Sequence, residues 1–113
     1  MHELSIAMGI IDIARQEADK AGVGHFDGIE LVIGELSGVE MASFDFAWQQ
    51  AIKGTVLEGA CLEIDRPPGK AMCLDCGSHF ALARIYDLCP QCQSYFKEIV
   101  SGKELRVKTL SLD

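Results

Sequence analysis

Positive charge is scarce in this sequence, where ten Lys and Arg stand against seventeen Asp and Glu and leave a formal net charge of −7. The imbalance lies in the first half. Residues 1–60 carry ten acidic and three basic side chains, and residues 61–113 carry seven of each. Nucleic-acid binding requires clustered Lys and Arg to neutralise phosphates, so that class is excluded. An acidic face suits cations or a basic protein surface, and taken alone it does no more than aid solubility. Long apolar runs are also missing: nothing approaches the roughly 18–20 consecutive apolar residues that span a bilayer. The N-terminus is acidic and polar instead of a basic region ahead of a hydrophobic run, so a soluble, unexported, cytoplasmic chain is expected. Material for a second full-sized core is lacking too, because 113 residues that are 49% hydrophobic build one modest core. A segment folding apart from it needs a staple such as a metal.

Along the chain, Leu4, Met8, Ile11 and Ala18, with Ile6, Ile10 and Ile13 beside them, predict an amphipathic helix over Leu4–Ala21 that ends at Gly22 and Gly24. Ile29, Leu31 and Ile33 then alternate at strand spacing. A second helix is predicted over Met41–Lys53, burying Phe44, Trp48, Ala51 and Ile52, with Ser37 and Glu40 spaced as a capping box. Cys61–Asp65 alternates as a strand and stops at Arg66-Pro67-Pro68-Gly69. After Ser101-Gly102 a last strand runs over Glu104–Leu112. Its apolar parity slips between Val107 and Leu110, which requires a bulge or burial on both faces. The expected fold is α+β: a small three-stranded sheet packed with two helices, plus an inserted zinc-ribbon-like module. The expected domains are residues 1–69 together with 102–113, and the module at residues 70–101.

Five cysteines is an odd number, and four of them form two Cys-x-x-Cys pairs, which in a reducing compartment favours metal over disulfides. Cys73 and Cys76 are followed, after twelve intervening residues, by Cys89 and Cys92. Two residues between paired cysteines let both thiolates face one ion, and two such knuckles complete a tetrahedron. Soft sulfur donors in that geometry point to zinc, with iron as the competitor that colour would reveal. Four sulfurs leave no open position, so the ion is expected to be structural. The intervening residues form a short hairpin carrying Phe80, Leu82, Ile85 and Tyr86 over the site. Gln93 stands where glycine is common in the second knuckle. Thioredoxin-like redox chemistry would use one reactive pair at a helix start, and two matched pairs argue against it. Cys61 is most simply inert, His25 solvated, and His79 an ordinary hairpin residue, although His79 has the chemistry to exchange with a thiolate ligand.

His2 stands apart. With Met1 retained, a free α-amine lies one peptide bond from an imidazole, and amine, amide nitrogen and imidazole in that order close fused chelate rings. Such a nitrogen-rich tetragonal set suits Ni(II) or Cu(II). Glu3 adds a further backbone nitrogen and a carboxylate. A histidine at position 2 is also commonly incidental, so this feature alone assigns no metal.

The opening Met1-His2-Glu3-Leu4-Ser5-Ile6, the stretch Ile33-Gly34-Glu35-Leu36-Ser37-Gly38-Val39-Glu40, and the paired cysteine knuckles together resemble the HypA/HybF nickel metallochaperones of [NiFe]-hydrogenase maturation. The resemblance covers nearly the whole chain. It implies a non-enzymatic protein with nickel as transported cargo, held by His2 with backbone nitrogens of His2 and Glu3. It further implies structural zinc on Cys73, Cys76, Cys89 and Cys92, a partner GTPase (HypB), and the hydrogenase large subunit as recipient. Some members have an aspartate near position 40, where this sequence has Glu40 as a further candidate ligand. A homodimer and a role in urease maturation stay open. Two readings without nickel compete: a zinc-ribbon protein-interaction module, which explains only the cysteines, and a rubredoxin-like iron protein, which explains least.

Overall fold

A computed structural model describes residues 2–113. The chain is α+β, and its described residues form two helices and two three-stranded sheets. It divides into two compact units, the first made of Met1–Leu31, Val39–Ile64 and Arg106–Asp113, the second of Val32–Gly38 and Asp65–Leu105. Among the described residues no helix is long and apolar enough to cross a membrane.

In the first unit, helix α1 spans Glu3–Ala21 and ends where Gly22, at φ 70°, turns left-handed and returns its N–H to the carbonyls of Ala18 and Asp19. Its buried stripe is Ala7, Ile10, Ile11, Ala14 and Ala18. The expected apolar face is therefore corrected: Ile10, Ile11 and Ala18 are inside, but Leu4, Met8 and Ile13 are 56%, 54% and 47% exposed. Small residues decide the outcome, since alanines permit the close approach that bulkier side chains on a broad apolar face prevent.

Helix α2 spans Met41–Ala51. Phe44 is wholly buried and stacks on Trp48 with ring centroids 5.7 Å apart. A phenylalanine buried in this way is worth about 3–5 kcal/mol against alanine. Ala51 and Ile52 are half-buried. Ser37 does not cap this helix. Gly38, at φ 82°, turns the chain away, and Glu40 is the N-cap, its carboxylate accepting the N–H groups of Ala42 and Ser43 at 3.3 and 2.7 Å.

Strands β1 (Gly28–Ile33) and β2 (Cys61–Asp65) form the first sheet together with the final strand, Leu105–Ser111; β1 is central, and Ile29 and Leu31 are buried. The final strand is not buried on both faces. Only Val107 and Leu110 are half-buried along it.

The second unit contains β3 (Lys70–Cys73), β4 (His79–Ala81) and β5 (Lys97–Ser101), with β3 pairing antiparallel to both neighbours. With them named, Leu105–Ser111 is β6. Backbones within the second unit pack closely: a Cβ on Gly69 would lie 2.1 Å from the Leu82 carbonyl oxygen, and one on Gly34 2.1 Å from that of Gly102. The Arg66 guanidinium ties the same region together by donating to the carbonyls of Ile33 and Gly34 at 3.0 and 3.1 Å. The expected hairpin is only partly present. Phe80 lies on β4 and Leu82 is buried, but Ile85 and Tyr86 are 52% and 59% exposed. They sit in a tight turn closed by the Asp87 carboxylate, which accepts the Ala83 and Arg84 N–H groups.

Candidate metal centre

The four paired cysteines converge, with all four sulfurs within 4.8 Å of one another. Cys73 and Cys92 approach to 3.5 Å and Cys76 and Cys89 to 3.6 Å. None is in a disulfide. A tetrahedron with metal–sulfur bonds of about 2.3 Å has sulfur–sulfur edges near 3.8 Å, so these separations suit one thiolate-bound ion. Each knuckle has an inner sulfur, from the buried Cys73 or Cys89, and an outer one, from the exposed Cys76 or Cys92.

The two knuckles repeat one backbone pattern. The Gly77 N–H donates to the Cys73 carbonyl and the Gln93 N–H to that of Cys89, while the N–H groups of Cys73 and Cys89 donate to the carbonyls of Ser78 and Ser94. Gly77 and Gln93 take the same left-handed conformation, φ 76° and 64°. A side chain there costs on the order of 1 kcal/mol. Gln93→Gly should therefore raise the unfolding free energy of the metal-loaded protein by roughly that amount, seen as a higher denaturation midpoint, and a lowered midpoint would contradict the strain. Across the pair, the Ser94 hydroxyl donates to the Asp75 carboxylate and the Leu74 N–H to the Phe96 carbonyl. Asp75, Ser78 and Ser94 were not singled out from the sequence, yet Cys73-Leu-Asp-Cys-Gly-Ser and Cys89-Pro-Gln-Cys-Gln-Ser repeat visibly.

The thiols do not titrate alike. The Cys76 N–H, donating to the Cys73 sulfur at 3.5 Å, holds that thiol below its ordinary value. The Ser78 hydroxyl, 3.3 Å from the Cys76 sulfur, brings Cys76 down to about 6. At Cys92 the Ser94 N–H pulls down, but the Cys73 thiol, burial and the other two cysteines together push it up to about 12. Four thiols so close cannot all ionise without a cation, and a divalent metal supplies that charge as the protons leave.

At the other candidate site, Met1 lies outside the described residues. His2 is exposed and precedes α1 in an extended conformation, its imidazole capping nothing, while its carbonyl accepts the Ile6 N–H at 3.2 Å. The amides at this helix start have no intrahelical acceptor. The Glu3 carboxylate is engaged, accepting the Glu40 N–H at 3.1 Å, and that bond holds it below the usual carboxylate range. Glu40 is likewise held low by the Ser43 and Ala42 donors that it caps. His25 pairs with Asp27 at 3.2 Å, His79 is exposed opposite Met72, and Cys61 is exposed.

A family model described as "Hydrogenase/urease nickel incorporation, metallochaperone, hypA" matches residues 1–112. The chain belongs to the HypA family. The hydrogenase maturation factor HypA of Alkalilimnicola ehrlichii is 40% identical over 113 residues, the whole of both chains. That of Parabacteroides distasonis is 43% identical over 110 residues, 97% of this chain and 96% of its own. The solution structure of the Ni metallochaperone HypA from Helicobacter pylori superposes with a TM-score of 0.71 at 27% identity, covering 99% of this chain and 97% of that one. As a HypA-family member the chain is a nickel metallochaperone of hydrogenase maturation, with nickel as its cargo, and its four-cysteine cluster fits structural zinc. Maturation is work done on other proteins, so HypA-family function implies protein partners.

Proposed function

We propose that Cys73, Cys76, Cys89 and Cys92 hold one zinc ion, and that Ni(II) is carried at the N-terminus on the His2 imidazole with the backbone nitrogens of His2 and Glu3. The observation that carries the zinc assignment is the sulfur–sulfur spacing of 3.5–3.6 Å across the knuckles. Four thiolates close the coordination shell, so this zinc organises the module and activates no water. The compact unit containing Asp65–Leu105 encloses the zinc-binding domain proposed at residues 70–101; the nickel-binding domain is proposed from residues 1–69 and 102–113, of which 32–38, 65–69 and 102–105 cluster with the zinc module.

The nickel assignment draws on an exposed imidazole that caps no helix amide, beside helix-start amides that lack intrahelical acceptors. Glu3 contributes its nitrogen, while its carboxylate reaches across to accept the Glu40 N–H on one oxygen. Glu40 is left out of this donor set, its two oxygens accepting the Ala42 and Ser43 N–H groups at the start of α2. Nitrogen donors suit Ni(II), and thiolates suit zinc, so each ion has its own site.

In this reading the protein works in the cytoplasm by binding and handing over nickel, without catalysis, to the maturation GTPase HypB and through it to the hydrogenase large subunit. The acidic residues of the first half supply a surface for such a partner. The zinc-loaded chain should retain purified HypB in a pull-down, with retention falling as salt rises. Tight, salt-sensitive binding to duplex DNA with no retention of HypB would instead favour a zinc-ribbon interaction protein.

A further inference from the structure

Scattered exposed apolar residues are ordinary, whereas contiguous ones mark a contact surface. In the second unit Leu74, Ile85, Tyr95 and Phe96 are 59%, 52%, 58% and 66% exposed. With Ile99 they line a single groove of about 310 Å³. Its only charged lining residues are Lys97 and Lys103. The Lys97 ammonium is fixed, lying 4.2 Å from the Tyr95 ring centroid and donating to the Tyr95 carbonyl at 3.1 Å. Lys103 is exposed and makes no ion pair among the described residues. In a chain of net charge −7, this groove therefore carries positive charge alone.

That charge selects the occupant. Aromatics beside cations also bind single-stranded nucleic acid, but two ammonium groups on so acidic a chain do not offset a row of phosphates. A symmetric contact between two copies would set lysine against lysine. Carboxylates beside apolar side chains match both features. Strand β5, which supplies Lys97 and Ile99, stands at the edge of its sheet, so an extended segment can also pair with its open backbone groups. We propose that this groove docks an extended segment of a partner protein in which apolar side chains alternate with carboxylates. The inference is independent of where nickel binds.

The test uses the zinc-loaded full chain and three fluorescein-labelled dodecapeptides, read by fluorescence polarisation. One alternates Glu with Leu and Phe, the second replaces every Glu with Lys, and the third replaces Leu and Phe with Ser. The first should bind about tenfold or more tighter than either of the others. Lys103→Glu and Phe96→Ser should each weaken it by about fivefold or more at unchanged zinc content, and Lys20→Glu on α1 should leave it unaltered. Should Phe96→Ser lose zinc, the exposed Lys103→Glu still decides. The proposal is overturned by equal binding of the three peptides, by no binding of the first, by tighter binding of a twelve-nucleotide single-stranded RNA, or by a Phe96-dependent dimer in sedimentation.

Discussion

Cys73→Ala is expected to abolish zinc binding and melt residues 70–101 while α1 and α2 remain helical. Loss of an outer-shell partner costs a metal site roughly 10–100-fold in affinity, and loss of one of four thiolates should cost more. Little else holds the module. Within residues 70–101 the buried apolar side chains are Ala71, Cys73, Leu82 and Cys89, two of which belong to the metal cluster. A structural zinc in small peptides supplies about 10–16 kcal/mol of apparent binding free energy near neutral pH, far more than such a core supplies. The helices draw on a separate core that includes Ala14, Ile11, Phe44 and Trp48. Metal analysis should find almost no zinc in the variant, amide resonances of the module should collapse toward unfolded positions, and far-UV circular dichroism should keep its helical signal. Cys61→Ala, which alters an exposed cysteine on β2, should keep its zinc. Full zinc with a dispersed module spectrum in Cys73→Ala would refute this account of the cluster.

The cysteine cluster was legible because a metal demands its ligands at short, fixed spacing, whatever the rest of the chain does. Helix α1 was legible for a similar reason: its end depends on Gly22, a local property of the backbone. The buried face of α1 was not legible. Its apolar face is broad, and only the neighbouring elements decide that Ala7 and Ala14 turn inward while Leu4 and Met8 stay out. The cap of α2 was misread because Ser37 and Glu40 have the right spacing but Gly38 bends the chain between them. The bond from the Glu40 N–H to the Glu3 carboxylate joins residues 37 apart, and no local pattern announces it. Gln93 was noted as unusual, and its left-handed backbone gives that observation a physical cost.

A proposed nickel site at the N-terminus, apart from the zinc cluster, predicts a large and selective effect of His2→Ala. Position 2 precedes α1 and its imidazole caps nothing, so its removal leaves helix packing and the cysteine cluster intact. Zinc content, helical signal and thermal midpoint should stay near those of the parent protein. Nickel should lose its only imidazole donor, and losing one ligand from a tetragonal nitrogen set should weaken binding by at least about tenfold. The decisive measurement is a calorimetric nickel titration of the zinc-loaded protein and of His2→Ala. One nickel per chain bound by the parent without release of zinc, and binding severely weakened in the variant, is the predicted result; the same stoichiometry and affinity in both proteins would contradict it.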